Sequence, residues 1–406
     1  ERITNDDPDG ARLLLDGVDA TLSPQARAEW RYRVAWSYYI ENQDAQAWAL
    51  ADTVRDNGSG PWVAEGDWAA GLAAWRLGDC DKAAEAFQRS AAASTNPNLT
   101  AAAHYWASRA LIRCRFPEKS DEQLRGAARL PETLYGMLAH EQLGRELPET
   151  HAQPDLTEAD WRRLRDEDAV QQAVMLAEIG RRDEAADDLV WLVRTGDPDD
   201  YPALSRLARA LGLTGAQTFM AYNAPRGEGA HPSLRYPVTF RTPVGGWRVD
   251  PALAFAHALQ ESNFRERVVS PAGAIGLMQI MPITQREYAA SINMSSNADL
   301  KDPAVNLAFG QRTLESLSTA GYTQGRLPKI MAAYNAGPSP VGRWESEIRD
   351  DGDPLLYMES IPYWETRGYV AVVMRNYWMY LRQADAPAPS RIDLAENDWP
   401  QFPKVR

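Results

Sequence analysis

"LGDCDKAAEAF", residues Leu77–Phe87, decides the reading of most of this chain. A glycine follows an apolar helix end, two acids flank a cysteine, and alanines and an aromatic then recur at helical period. That order spells a helix, a left-handed glycine cap and a second helix. It returns as "IGRRDEAADDL" at Ile179–Leu189, and Gly78 and Gly180 lie 102 residues apart, three times 34. Cys80 and Cys114 are 34 apart and fall in turns of this kind. A period of about 34 residues is that of helical-hairpin solenoids. Ala83, Ala84, Ala185 and Ala186 follow the two turns and are small enough to let neighbouring helices approach. From about residue 10 to 225, strand-like alternation is nearly absent. The expected fold is therefore all-α, with a superhelical scaffold over residues 1–225 whose last part, 155–225, forms a linker-type subdomain.

For the two cysteines, a pair of free buried thiols is the default expectation and a disulfide the alternative. Equivalent turns in adjacent repeats share one edge of a solenoid. Neighbouring helices, however, pack about 8–10 Å apart, and a bridge needs Cα atoms within about 7 Å.

Residues 226–249 break the helical pattern with repeated Pro and Gly and read as a connecting segment. A second domain is expected over 250–385, opened by Asp250 as N-cap and Pro251 at the first helical position. "ADAPAPS" closes it, and a tail over 386–406 carries Trp399 and Phe402, which should dock on the body.

With 406 residues, 44% of them hydrophobic, the chain can build more than one core. The net charge of −13 argues against a nucleic-acid partner, which calls for a basic face. The acid excess lies in the N-terminal half, and residues 236–385 are nearly balanced. No apolar run approaches the ~20 residues that span a bilayer. The 5 His and 2 Cys form no metal-spaced cluster, and "RDDGDP" (Arg349–Pro354) lacks the order of a calcium loop, so no metal or organic cofactor is expected. The 14 Trp and 16 Tyr are many for this length, and core packing is the first expectation for most of them.

Three clusters in the second domain carry chemistry. In "PALAFAHALQESN" (Pro251–Asn263) the helix is apolar nearly all round, and Glu261 stands in its last turn. Burial and the helix dipole both favour a protonated carboxyl there, as a general acid requires. A solvent-pointing Glu at a helix end is the plain alternative. "SPAGAIGLMQIMP" (Ser270–Pro282) spaces Gly273 and Gly276 three apart and sets Gln279 in an apolar run. "AAYNAGPSPVGRW" (Ala332–Trp344) offers Tyr334 and Asn335, and "ESIPYWETRGYV" (Glu359–Val370) offers Glu365 and Arg367.

These clusters, in this order, resemble the soluble lytic transglycosylases of bacterial cell walls, over roughly residues 240–385. The resemblance implies an α-superhelix ahead of a lysozyme-like, mainly helical domain. It implies cleavage of the β-1,4 bond between N-acetylmuramic acid and N-acetylglucosamine of peptidoglycan, with formation of a 1,6-anhydro product. Glu261 would serve as acid and then as base, with no carboxylate nucleophile. Ser270 and Gln279 would hydrogen-bond the sugars, and Met278 and Met281 would floor the cleft. Tyr334 would sit near the scissile bond, Asn335 would brace its loop, and Glu365 would orient substrate or tune the acid. Each has a structural alternative: Met281 as core, Ser270 as turn cap, Asn335 as scaffold, Glu365 paired with Arg367. Glu359 is read as a loop or helix-start contact.

The implied partners are peptidoglycan glycan strands and, through the superhelix, other cell-wall enzymes, and the implied location is the periplasm. The alternatives are a hydrolytic lysozyme of the goose type and a scaffold that binds peptidoglycan or proteins without catalysis.

Overall fold

The computed structural model describes residues 6–148, 154–226, 230–238 and 241–403. Parts of the expected connecting segment (227–229 and 239–240) and of the tail (404–406) lie outside the described residues. Helix dominates throughout. Among the described residues, extended pairing is limited to isolated bridges such as Val269 with Ile275 and Ile275 with Ile280.

The glycine turns form as the sequence predicts, with Gly78 and Gly180 at φ 78° and 82°. In each turn two successive amides reach back to the preceding helix: Gly78 to the Trp75 carbonyl and Asp79 to Ala74, then Gly180 to Ala177 and Arg181 to Leu176. Asn42, Arg115 and Gly212 occupy the same left-handed position with the same pair of bonds. The repeat is thus more regular in backbone than in sequence, because Asn tolerates positive φ and an Arg is held there by its neighbours. The alanine pairs sit where helices meet: Ala83 and Ala185 are wholly buried, and Ala84 and Ala186 nearly so.

By its contacts the chain divides into two compact units. One unit comprises Glu1–Pro148, Gly342–Ala371 and Pro389–Pro400; the other comprises Glu149–Val341, Val372–Ala388 and Gln401–Arg406. Burial explains why residues 342–371 group with the N-terminal helices. Arg76, 6% exposed, lies 3.8 Å from the centre of the Tyr39 ring and donates to the Tyr39 carbonyl, to Asp44 and to Ser360 Oγ (2.6 Å). Arg349 donates to the other Asp44 oxygen at 3.0 Å. Trp399, from the tail, donates to the Gly352 carbonyl and packs against Tyr357. The aromatics of this unit are largely core, as expected, with Trp106, Tyr39, Tyr105 and Phe87 almost wholly buried.

In the other unit, Leu164, Val170, Leu189, Leu204 and Met220 form a core under the helices of residues 158–222. These helices join residues 250–341 through backbone groups. Asp183 accepts from the amides of Glu266 and Arg267, and Thr214 donates to the Phe264 carbonyl. Phe402 donates from its amide to the Gly325 carbonyl at 2.8 Å.

The two cysteines are joined, which overturns the expectation of free thiols. Cys80 opens the helix Cys80–Ala93 and Cys114 follows the helix Pro97–Arg113, with Cα atoms 5.6 Å apart. Helix axes cannot approach that closely, but the turns at their ends can. Asp81 lies beside both sulfurs, yet disulfide sulfurs offer no thiolate, so the three groups make no metal site. The bridge closes a span of 34 residues. The double variant Cys80→Ser/Cys114→Ser should lose about 3–4 kcal/mol of unfolding free energy. Denaturant titration with and without reductant checks this, and titratable thiol in the denatured, unreduced protein would contradict it.

Candidate active site

The helix Pro251–Ser262 starts as its sequence dictates. Asp250 accepts from the Ala252 amide at 2.9 Å, Pro251 follows at the first position, and Tyr377 Oη holds the second Asp250 oxygen at 2.9 Å. Leu253, Ala254, Ala256, His257 and Ala258 are fully buried. The helix ends where Asn263 and Phe264 turn left-handed, at φ 51° and 58°. Glu261 is its penultimate residue and is half-buried, neither enclosed nor pointing freely to solvent. The next residue, Ser262, is buried and donates to the Leu277 carbonyl at 2.8 Å, which ties the helix end to the glycine loop.

That loop is fixed from the other side by Asn306 on the helix Pro303–Ser318. Asn306 is wholly buried; its amide donates to the carbonyls of Ile275 (2.7 Å) and Leu300 (2.8 Å), and its oxygen accepts from the Met278 amide (2.8 Å). Gly276 is needed for this approach. It has φ 77°, and a Cβ there would lie 2.4 Å from the Asn306 nitrogen and 2.5 Å from the Leu300 carbonyl oxygen. Gln279 also takes a left-handed conformation, φ 48°, and its amide nitrogen donates back to the Gly276 carbonyl at 2.8 Å. Ser270 Oγ accepts from the Ala274 amide at 3.0 Å, so it caps the turn, the alternative considered for it. Met278 departs from its expected place on the cleft floor. Its side chain is fully buried against Gly310, where a Cβ would lie 2.1 Å from its sulfur. Its backbone amide and carbonyl are taken by Asn306 and Tyr334. Met281, by contrast, is 36% exposed.

Tyr334 comes from the helix Leu327–Ala336 and donates from Oη to the Met278 carbonyl at 2.8 Å. Burial, reinforced by the Glu261 charge, pushes its phenol well above the ordinary range, so Tyr334 stays a hydrogen-bond donor. The Tyr334 ring packs on that of His257, with centroids 4.6 Å apart. Burial pushes the His257 imidazole down to about 3, so it is neutral at any physiological pH. Asn335, next along, is half-buried just before Gly337 ends the helix at φ 86°.

Glu261, Gln279, Met281, Tyr334 and Asn335 thus lie in one unit with Ser270 and Met278. Glu365 belongs to the other unit, exposed in the first turn of the helix Trp364–Gln383. Arg367, its expected alternative partner, donates to the Ile361 carbonyl and stacks 4.1 Å from the Trp36 ring centre. Glu359 makes the structural contact read for it: it accepts from Tyr135 Oη at 2.5 Å, and burial pushes its carboxyl up. Sequence reasoning missed Asn306, Ser262 and His257. An Asn in "AVNLAFG" and a His in "AFAHAL" carry no motif of their own; the one available signal was a polar side chain at a core position of an apolar helix.

The fold and site define an all-helical protein with glycine-capped hairpins and a carboxylate at the end of an apolar helix, in the same unit as an anchored tyrosine. Residues 240–355 match the family model described as Transglycosylase SLT domain. The soluble lytic murein transglycosylase of Escherichia coli (strain K12) is 36% identical over 168 residues, 40% of this chain and 25% of that protein. Its counterpart from Salmonella typhimurium (strain LT2) is 37% identical over 149 residues, 35% of this chain and 22% of the relative. Among solved structures, an inactive mutant of the lytic transglycosylase Slt from Pseudomonas aeruginosa aligns with a TM-score of 0.72 and 24% identity, covering 97% of this chain and 63% of that one. The 70 kDa soluble lytic transglycosylase from Escherichia coli aligns with a TM-score of 0.74 and 22% identity, covering 98% and 63%. The chain therefore spans about a quarter of the length of these curated relatives, and its likeness to the solved chains establishes the fold.

Gly273 and Gly276 both have positive φ, but only Gly276 is crowded by backbone and by Asn306. Gly273→Ala should cost about 1–2 kcal/mol for conformation alone. Gly276→Ala should cost about 2 kcal/mol more, because the loop must also leave Asn306. Urea unfolding midpoints of the two variants measure the difference, and equal midpoints would refute the clamp.

Proposed function

We propose that this protein is a lytic transglycosylase, which cleaves the β-1,4 bond between N-acetylmuramic acid and N-acetylglucosamine of peptidoglycan and leaves a 1,6-anhydro ring. The observation that carries the reading is Glu261: a half-buried carboxyl at the end of an apolar helix, within the segment that matches the transglycosylase SLT domain. The next carboxylate along the chain, Glu266, is engaged elsewhere, 3.9 Å from Arg241 and under the field of Asp183. A two-carboxylate glycosidase needs a second acid facing the bond. A transglycosylase does not, because the sugar's own 6-hydroxyl is the nucleophile.

In this mechanism protonated Glu261 gives its proton to the glycosidic oxygen as the bond to C1 breaks. The substrate's N-acetyl carbonyl shields the cationic centre. Ionised Glu261 then removes the proton of the 6-hydroxyl, whose oxygen bonds to C1. The carboxyl ends as it began, and no water is consumed. Tyr334, locked as a donor on the Met278 carbonyl, holds the loop against the carboxyl. Gln279 and the exposed Met281 are the side chains of the glycine loop proposed to contact the sugars. Ser270 and Asn335 support the loop and the end of the Tyr334 helix, and the role of Glu365 in orienting substrate rests on its sequence motif.

The Cys80–Cys114 bridge supports an oxidising compartment, in keeping with the periplasm, where the substrate lies. Among the described residues, no helix is long and apolar enough to cross a membrane. Docking of other cell-wall enzymes on the helical hairpins belongs to the same proposal.

Glu261→Gln keeps the shape of the side chain and removes the proton. It should lower release of 1,6-anhydromuropeptides from purified sacculi by at least about 10³-fold with an unchanged far-ultraviolet spectrum. Mass spectrometry of the digests reads the outcome. Full activity in the variant would refute Glu261 as the acid, and products with free reducing ends would make the enzyme a hydrolase.

A further inference from the structure

We infer that His257 is a positioning residue for the proposed reaction, setting the place of Tyr334 relative to Glu261. The inference rests on the transglycosylase reading for its catalytic meaning and on geometry for its substance. His257 and Glu261 are four residues apart on the helix Pro251–Ser262, so their side chains rise from the same face. Glu261 is half-buried and His257 is wholly buried one turn behind it. Against His257 lies the Tyr334 ring, with centroids 4.6 Å apart and planes inclined by 48°. Tyr334 is thus held at two points: its ring by His257 and its hydroxyl by the Met278 carbonyl at 2.8 Å. The two anchors come from different segments, the acid's own helix and the glycine loop. Their joint effect is to fix the distance between the acid's helix and the loop that is proposed to bind the sugars.

The chemistry of an imidazole suits this place. It is flat enough to pack on a phenol and compact enough for a fully buried site beside a helix end. Desolvation keeps it neutral. A cation one turn from Glu261 would favour the ionised carboxylate and remove the proton that the first step requires. A neutral ring leaves the carboxyl free to hold it.

The test compares His257→Ala, His257→Phe and His257→Gln with the wild type in two assays. In the first, muropeptide release gives kcat and KM per folded molecule. His257→Ala should lower kcat about 10–100-fold with KM within about twofold, since small displacements of a positioned group cost that much. His257→Phe, which restores a ring behind Tyr334, should recover most of the loss, and His257→Gln stands in for it if the larger ring prevents folding. In the second assay, the Tyr334 phenol is titrated by nuclear magnetic resonance of ring-labelled tyrosine. The Ala variant should bring its titration down towards the ordinary range as water enters, and the Phe variant should not. Unchanged kcat per folded molecule and unchanged titration in His257→Ala would overturn the inference. The second assay stands whether or not the wild type releases muropeptides; a wild type that releases none refutes the enzymatic reading instead.

Discussion

Asn306 holds two backbone groups of one short stretch at once, and a third from beyond it, and the candidate site depends on that grip. Its side chain spans from the Ile275 carbonyl to the Met278 amide and reaches Leu300 besides. Buried, each of those groups would be costly to leave unpaired, so the loop has little freedom to move away. Gly276 takes positive φ to admit the Asn306 side chain, and Met278 turns its side chain into the core beside Gly310. The Met278 carbonyl is the acceptor for Tyr334. Ser262 adds a second tie, from the helix of the acid to Leu277. Several short hydrogen bonds between the helix of Glu261, the loop and Asn306 therefore contribute to the placement of Glu261.

The first unit shows the same economy with a charged residue. Arg76 and Asp44 are both almost wholly buried, and further hydrogen bonds from such a pair offset part of its desolvation. Here Arg76 reaches Tyr39 and Ser360, and Arg349 takes the second Asp44 oxygen. Residues far apart in the chain are thereby required in one place, and a segment that sequence pattern assigns to the C-terminal domain packs with the N-terminal helices. The disulfide acts between successive hairpins in the same unit and holds the ends of two helices by their turns.

Much of the fold was legible because it is local. A glycine at a helix end, a proline after an N-cap and a 3.6-residue apolar period each act within a few residues, and Gly78, Gly180, Asp250 and Pro251 behave as their neighbours dictate. Residues that occupy the glycine position without being glycine, such as Asn42 and Arg115, gave no such sign. The candidate acid was legible from an anomaly, a carboxylate at the wrong end of an apolar helix, sharpened by the resemblance of its flanking motifs. The roles of the surrounding side chains were less so. Met278 and Ser270 sit within the motif yet turn to core and turn, because whether a loop residue faces in or out depends on the partner that meets it.

The sequence by itself determined an all-helical chain, the turn geometry of its hairpins and the position of Glu261 in the last turn of a buried helix. These follow from backbone preferences and side-chain periodicity, which operate over a few residues. Only the tertiary structure decided that Cys80 and Cys114 meet, that Asn306 clamps the glycine loop, that His257 backs Tyr334 and that residues 342–371 pack with the N-terminal helices. Each of these unites groups distant in the chain, and no local preference of either partner encodes the pairing.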